Sequence, residues 1–338
     1  MTSIIGKKIF SDNIKSLIKL NNRKITMRSL IKTKFFGKLI SFIFLLLITS
    51  SQSFSETIKL ELSEKKYGSS KVPVELIFPE NPIKTPIPLI ILQHGSTRDG
   101  GNILNGIVKT DVQMKNLSKE SLNSGFAVAI IDAFYKKNIK GSQKTKFPDA
   151  QVYARQVASY FSKNPKLDSN NFFYTGFSYG GHAALMLMND LQFGDNKKWA
   201  GIVSLEPPCN IFHEQRNFVT PILVLKGGKS HYEPKPCKTM IDLYASVGAD
   251  AELKIFPKSN HFFSHNGKIV KGVAFNGCAD NPVVIGIRNS LKFLDGGQAN
   301  REIIRKKCFT KTGGSGKSRE DLKLAIDSSI KFFKSKLN

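Results

Sequence analysis

One pentapeptide carries the residue types of a nucleophilic site. The segment Gly176-Phe177-Ser178-Tyr179-Gly180 has the form G-x-S-x-G, with an apolar run before it and a helical pattern after it. In this motif a serine sits at a sharp strand-to-helix turn, and the flanking glycines prevent collisions with neighbouring chain. The turn lifts the hydroxyl clear of the sheet and aims the first helical amides at a developing oxyanion. The motif therefore predicts Ser178 as a nucleophile.

A histidine in the right chain order supplies a candidate general base. His261 ends the segment Phe256-Pro257-Lys258-Ser259-Asn260-His261, in a loop that follows an apolar strand pattern. Where G-x-S-x-G forms such a turn, the acid and then the histidine follow the serine along the chain. A neutral imidazole there accepts the serine proton and later delivers it to the leaving group. We therefore predict His261 as the base.

A second turn is a candidate for the oxyanion hole. Gln93-His94-Gly95-Ser96 follows an apolar strand pattern that ends at Leu92. A tight turn at this place supplies one backbone amide, and the residue after the nucleophile supplies another. We predict the amides of Ser96 and Tyr179 for this role and a structural role for His94.

The pattern of apolar residues predicts the elements that must position these groups. Residues 57–62 and 72–77 alternate polar and apolar side chains, which predicts an antiparallel pair. Later strand patterns are continuously apolar, as in sheets that are buried on both faces, and helical patterns lie between them. This alternation predicts an α/β fold with a mostly parallel central sheet and helices on both faces.

Residues 87–262 and the C-terminal helical pattern together resemble the dienelactone hydrolase family of α/β-hydrolases. The resemblance rests on the His94-Gly95 turn, the segment from Gly176 to Gly181, Pro236-Cys237, and the Phe-Pro-x-x-x-His sequence that ends at His261. It implies the α/β-hydrolase fold and hydrolysis of small esters or lactones. Dienelactone hydrolase itself uses a cysteine nucleophile, so Ser178 points to the serine-bearing, exported relatives.

The acid departs from the family pattern. The resemblance places an aspartate in the loop after residues 222–225, but Ser230 stands at that position. Two carboxylates are available in its place. Glu206 directly follows a neighbouring strand pattern, and Glu233 lies three residues beyond Ser230. We favour Glu206, because a carboxylate at the end of the adjacent strand can reach the same imidazole nitrogen. The alternative that no carboxylate completes the site, which then works as a Ser-His dyad or not at all, stays open.

Charge and the N-terminal segment bear on partners and compartment. Residues 1–55 contain ten Lys or Arg and one Asp, which is +9 of the formal charge of +25. A basic flank, a short apolar run over residues 39–48 and small residues up to Ser55 predict a signal peptide over 1–55, with Met27 as an alternative start. The protein is then periplasmic or secreted, with membrane contact only through this segment. No binding motif accompanies the basic charge, so nucleic acid is not expected as a partner.

The cysteines agree with export. The four cysteines, none in a C-x-x-C pair, predict two disulfides in an oxidising compartment. Of the three possible pairings we favour Cys209 with Cys237 and Cys278 with Cys308. One catalytic domain is expected over 56–338, with a disulfide-tied insertion at about 265–317 and a C-terminal helix over 318–337.

The expected function is hydrolysis of a carboxylic ester or lactone through an acyl-serine intermediate, without a metal or cofactor. Two alternatives stay open. The chain is a binding protein of the same fold that lost its acid, or it is an acyltransferase or peptidase that uses the same Ser-His pair. Arg98, Lys226 and His231 would favour an anionic substrate if they line the mouth of the site.

Overall fold

In the computed structural model the described residues are 55–96, 111–137, 139, 144–188, 198–214, 220–265, 276–286, 290–310 and 319–338. The predicted signal peptide lies outside them except for Ser55, and so does Arg98. The strands are β1 Ser55–Glu64, β2 Gly68–Ile77, β3 Ile87–Gln93, β4 Ala127–Ile131, β5 Leu167–Phe177, β6 Gly201–Leu205, β7 Ile211–His213, β8 Ile222–Gly227, β9 Ala251–Phe256, β10 Val283–Ile285 and β11 Leu291–Phe293. The helices are α1 Val112–Asn123, α2 Ala150–Phe161, α3 Tyr179–Leu187, α4 Lys235–Ser246, α5 Arg301–Cys308 and α6 Leu322–Ser335.

Eight strands form the central sheet, in the order β1-β2-β4-β3-β5-β6-β8-β9. Strands β1 and β2 pair antiparallel, and so do β2 and β4. The pairs from β4 to β9 are all parallel. The predicted α/β class and its opening antiparallel pair are thus confirmed. Strands β4, β6 and β8 are buried along their whole length, as their continuous apolar sequences predict.

Helices cover both faces of this sheet. On one face, side chains of α2, α3 and α4 join the core cluster that includes Tyr153, Leu185 and Met240. On the other, α1 and α6 join the cluster that includes Leu117 and Phe333. Helix α6 begins at Leu322, later than the sequence predicts. The side chain of Asp321 does not cap it, because its Oδ2 accepts hydrogen bonds from Ser259 Oγ and His265 Nε2.

A second, three-stranded sheet has the order β11-β10-β7. Its strands are only three residues long, and the sequence analysis did not identify them. Two of them fall within residues 265–317, and Cys278, Ile304 and Cys308 belong to a small core beside them. The limits of the catalytic domain and of the insertion stay predictions.

The structure contains both disulfides in the favoured pairing. Cys209 is bonded to Cys237 across 28 residues, and Cys278 is bonded to Cys308 across 30 residues. The first bond ties the loop after β6 to helix α4. The second ties the segment before β10 to the end of α5. Among the described residues no helix is long and apolar enough to cross a membrane.

We predict that a peptide map of the unreduced protein will contain one fragment pair linked through Cys209–Cys237 and one linked through Cys278–Cys308. The double variant Cys209→Ala/Cys237→Ala should lose about 3.5 kcal/mol of unfolding free energy, because its unfolded chain regains the entropy of an open loop. Urea unfolding measures the loss. A fragment that links Cys209 to Cys278 would contradict the assignment.

Candidate active site

The predicted site residues follow the carboxyl ends of parallel strands. Ser96 follows β3, Ser178 follows β5, Glu206 follows β6 and His261 lies in the loop after β9. In a parallel sheet these ends share one edge, which is where α/β proteins place their ligand sites. The strand order explains the proximity of the acid to the other groups, because β6 lies between β5 and β8, and β9 is next to β8.

Ser178 occupies a strained turn between β5 and α3. Its backbone has φ 54° and ψ −99°, a left-handed φ that a non-glycine residue rarely adopts. The turn is held from both sides, since Ser178 N donates to the carbonyl of Leu205 at 2.8 Å and His182 N donates to the carbonyl of Ser178 at 2.8 Å. A Cβ on Gly176 would collide with the backbone of Gly180. The glycines of the motif are therefore required for the reason that the sequence indicates.

His261 links the serine to a carboxylate. Its Nε2 lies 3.0 Å from Ser178 Oγ, and its Nδ1 lies 3.0 Å from Glu206 Oε2. Because an ionised carboxylate only accepts, Nδ1 carries the proton and Nε2 is free to accept from the serine hydroxyl. The rings of Phe177 and Phe262 lie 5.0 Å and 5.3 Å from the imidazole and help to enclose it.

Glu206 is fully buried, and donors from three segments hold its carboxylate. Besides His261, Oε2 accepts from Lys226 Nζ at 2.9 Å and from Ser230 Oγ at 2.8 Å. Oε1 accepts from the backbone N–H of Gly227. A Cβ on Gly227 would lie 2.9 Å from that same oxygen and 2.5 Å from the carbonyl oxygen of Asn260. This glycine lets the carboxylate reach the backbone.

The surroundings of Glu206 keep it ionised. Burial by itself would raise its pKa, but the attraction of Lys226, and the hydrogen bond and attraction of His261, outweigh burial and lower the pKa to about 2. The carboxylate therefore carries its negative charge at neutral pH.

Backbone strain is concentrated around these groups. Among the described residues, the non-glycine residues with positive φ are Lys136, Ser178, Glu206 and Phe263. Ser178 and Glu206 belong to the Ser-His-Glu arrangement, and Phe263 closes the loop that carries His261. Strained conformations persist where the surrounding structure imposes them, and they cluster at functional sites.

The structure distinguishes between Glu206 and Glu233, the two carboxylates that the sequence offers as partners of His261. Glu206 lies within hydrogen-bond distance of His261. Glu233 is exposed, and its backbone N–H donates to Asn276 Oδ1 at 3.1 Å. Ser230, which stands where the resemblance places an aspartate, donates to Glu206 instead of contacting the imidazole as an acid. The expectation for Lys226 is wrong: it is fully buried beside Glu206 and does not line a mouth.

The turn at Ser96 is anchored by a residue that the sequence analysis missed. Asp111 is the N-cap of α1, where its Oδ1 accepts from Met114 N at 2.9 Å. Its other oxygen accepts from the backbone N–H of Gly95. An aspartate directly before a helical pattern is a recognisable capping signal, but its second contact depends on the tertiary fold. His94 is buried in this turn, 4.7 Å from the ring of Phe134.

A cavity of about 330 Å³ opens beside Ser178, and Ser96 and Tyr179 line it too. The structure thus brings both predicted oxyanion residues to the nucleophile. Tyr179 directs its hydroxyl away to the carbonyl of Pro148, at 2.6 Å. Most of the exposed wall is apolar, and burial lowers the pKa of the lining residue His182 to about 4, so its imidazole is neutral. Apolar residues of the wall are Phe147, Pro148, Ala183, Met186, Pro208 and Ile211.

The chain was compared with protein-family profiles, curated sequences and solved structures, and these comparisons bear on its fold. A family profile described as BD-FAE matches residues 75–217, a span that includes Ser178 and Glu206. A search of curated protein sequences finds no match. Among solved structures, a dienelactone hydrolase-like promiscuous phosphotriesterase from metagenomic libraries is similar, with 11% identity and a TM-score of 0.52 over 85% of this chain and 99% of that one.

Two further solved structures match a smaller share of the chain. An α/β serine hydrolase without lid from Xanthomonas campestris has 17% identity and a TM-score of 0.44, over 62% of this chain and 86% of its own. A hyperthermophilic esterase from Pyrobaculum calidifontis has 15% identity and a TM-score of 0.46, over 68% and 84%. The profile match and the topology of the central sheet identify the fold of this chain as the α/β-hydrolase fold, and a dienelactone hydrolase-like protein is among the structures that it resembles.

Proposed function

We propose that the protein is a serine hydrolase that cleaves carboxylic ester or lactone bonds through an acyl-enzyme on Ser178. The observation that carries the proposal is the continuous chain of contacts from Ser178 Oγ through His261 to Glu206, with 3.0 Å at each step. This is the geometry in which a base activates a serine and a carboxylate orients the base.

In the acylation half, Ser178 Oγ attacks the substrate carbonyl carbon while His261 Nε2 accepts the hydroxyl proton. The new imidazolium is stabilised by Glu206, which accepts from Nδ1. The carbonyl oxygen becomes an oxyanion that receives hydrogen bonds from the backbone amides of Ser96 and Tyr179. The Tyr179 amide is available for this because the first amides of a helix have no acceptor within the helix.

The tetrahedral intermediate then collapses, and the bond to the alcohol oxygen breaks. His261 gives its proton to that oxygen, so the alcohol leaves neutral and Ser178 stays esterified. In the second half water attacks the acyl carbon while His261 accepts one of its protons. The bond from the acyl carbon to Ser178 Oγ then breaks, His261 returns the proton to Oγ, and the carboxylic acid is released. In a lactone the acid and the alcohol leave as one hydroxy acid.

The cavity supports a small, largely apolar acyl or alcohol group as the part that is bound. Its volume of about 330 Å³ lies at the lower end of ligand pockets. Met186, Ile211 and Phe147 supply apolar surface there, and the neutral His182 adds a polar group without charge. Lys66 and Asp149 also line the cavity, so its wall carries one cationic and one carboxyl side chain beside the apolar surface.

The contact with Glu206 also bears on the alternatives. The hypothesis of a binding protein without catalysis depended on the missing acid at position 230, and the 3.0 Å contact between Glu206 Oε2 and His261 Nδ1 favours the catalytic reading. The hypothesis of an acyltransferase or peptidase shares the same acyl-serine step. It differs in the acceptor or in the bond cleaved, so product analysis separates it from ester hydrolysis.

We further propose that the protein is exported to the periplasm or secreted. Two disulfides without a free cysteine are typical of proteins in oxidising compartments. N-terminal sequencing of the protein from its native compartment should begin at Glu56, because cleavage is expected after Ser55. A protein recovered from the cytoplasm with its first 55 residues intact would contradict the proposal.

The nucleophile can be tested by covalent labelling. A fluorophosphonate should label the folded protein at Ser178, because only a serine activated by a neighbouring base reacts with it readily. Ser178→Ala should abolish the label, and the control Ser246→Ala, on the exposed end of α4, should leave it unchanged. Folded wild-type protein that stays unlabelled would contradict the proposed function.

The choice of acid gives a second test. Glu206→Gln should lower kcat for an activated ester by about 10⁴-fold, because an amide cannot stabilise the imidazolium or select the tautomer. Glu233→Gln is the matched control, since it removes an exposed carboxylate from the loop after β8. Its kcat should change less than about twofold. Steady-state kinetics and circular dichroism of both variants decide the point. A large loss in Glu233→Gln with an active Glu206→Gln would reverse the assignment.

A further inference from the structure

Lys226 is a buried cation that the acyl-serine steps do not use. It lies near the end of β8 with no exposed surface. Its Nζ donates to Glu206 Oε2 at 2.9 Å, to the carbonyl of Pro207 at 3.1 Å and to Ser230 Oγ at 3.3 Å. Burial lowers the pKa of Lys226, and the attraction and hydrogen bond of Glu206 oppose that shift. Three acceptors satisfy the three donors of an ammonium group, so the geometry fits the charged form.

The ammonium and the imidazole share one carboxylate oxygen. Lys226 Nζ and His261 Nδ1 lie 2.9 Å and 3.0 Å from Glu206 Oε2, so the two nitrogens are within about 6 Å of each other. A carboxylate alone would favour the charged imidazolium. A second positive charge at this distance disfavours the imidazolium. Because the site is buried, solvent screens neither the attraction of the carboxylate nor the repulsion of the ammonium.

We propose that Lys226 is a positioning residue that fixes Glu206 and keeps His261 neutral, and so active as a base, to a lower pH than Glu206 alone would allow. The inference rests on the proposed function. Lys226 touches no substrate, and it acts through the carboxylate. Its hydrogen bond to the carbonyl of Pro207 also holds the loop in which Glu206 has a φ of 53°.

Ser230 fits this arrangement because it adds no charge. Its hydroxyl donates to Glu206 Oε2 and accepts from Lys226 and from Tyr232 N, the last at 3.2 Å. A carboxylate at position 230 would put two negative charges beside one imidazole and would raise the pKa of one of them. The hydroxyl instead leaves one carboxylate, one ammonium and one imidazole.

Other groups that face His261 must be considered for its titration. The ring of His231 lies 4.4 Å from that of His261, and a charged His231 would also disfavour the imidazolium. Tyr232 lies 5.4 Å away, and burial followed by the charge of Glu206 raises its pKa, so it stays neutral. Among the described residues, the polar or charged groups placed around His261 include Ser178 from the turn before α3, Glu206 from the end of β6, Lys226 from β8, and His231 and Tyr232 from the loop after β8.

The test is the pH dependence of kcat/KM for an uncharged activated ester. In Lys226→Met, the acid limb should move to higher pH by about one unit or more, because Glu206 then acts on His261 without a competing cation. The matched control is Lys229→Met, which removes an exposed lysine from the loop directly after β8 and should leave the midpoint in place. His231→Phe is measured alongside. When it is combined with Lys226→Met, the shift of the acid limb should keep the size and the direction that it has in Lys226→Met alone.

A Lys226→Met enzyme with reduced kcat and an unmoved acid limb would overturn the proposal and leave Lys226 a structural residue. Lys226→Gln, which keeps a hydrogen-bond donor without the charge, provides a second variant with the same expected shift. If neither variant folds, the wild-type acid limb decides: a midpoint at or below about 6.5 supports the proposal, and a midpoint well above it overturns it. Wild-type protein without any hydrolysis would instead contradict the proposed function itself.

Discussion

A buried carboxylate at the end of β6 is the constraint around which this site is arranged. An ionised glutamate without solvent is stable only when its oxygens receive hydrogen bonds and its charge is balanced. Glu206 obtains both from Lys226, His261, Ser230 and the backbone of Gly227. These donors come from β8, the loop after it and the loop after β9, so the carboxylate joins three segments. The position of His261 depends on them all.

The same constraint explains how the site tolerates the loss of the usual acid. A hydroxyl at position 230 could not balance an imidazolium, and a carboxylate there beside Glu206 would repel it. The carboxylate of Glu206, at the end of the adjacent strand, lies 3.0 Å from His261 Nδ1, and Ser230 donates to it. The backbone of Glu206 is strained in this position. The hydrogen bonds to its carboxylate and the bond from its backbone N–H to Leu225 on β8 hold it there. Lys226 then sets the charge balance.

Local sequence patterns were enough for the sheet and for the turn at Ser178, and chain order was enough to single out His261. The continuous apolar runs predicted β4, β6 and β8, and the G-x-S-x-G motif predicted the turn at Ser178, because each depends on neighbouring residues alone. The buried role of Lys226 could not be predicted, since a lysine in a lysine-rich chain is normally exposed and only the folded sheet brings Glu206 to it. The short strands β7, β10 and β11 offered three residues each, too few for a periodic signal. The sequence around Asp111 indicates a helix N-cap, but it does not indicate the hydrogen bond that Asp111 accepts from the backbone N–H of Gly95.

The central claim is that Glu206 acts on the reaction through His261, and a double-mutant cycle tests it most directly. Residues that act as one unit are not additive in their effects on rate. The measurement is kcat/KM for an activated ester with Glu206→Gln, His261→Ala and the combined variant. We expect that adding Glu206→Gln to His261→Ala lowers kcat/KM by less than about twofold. A combined loss equal to the product of the two single losses would contradict it.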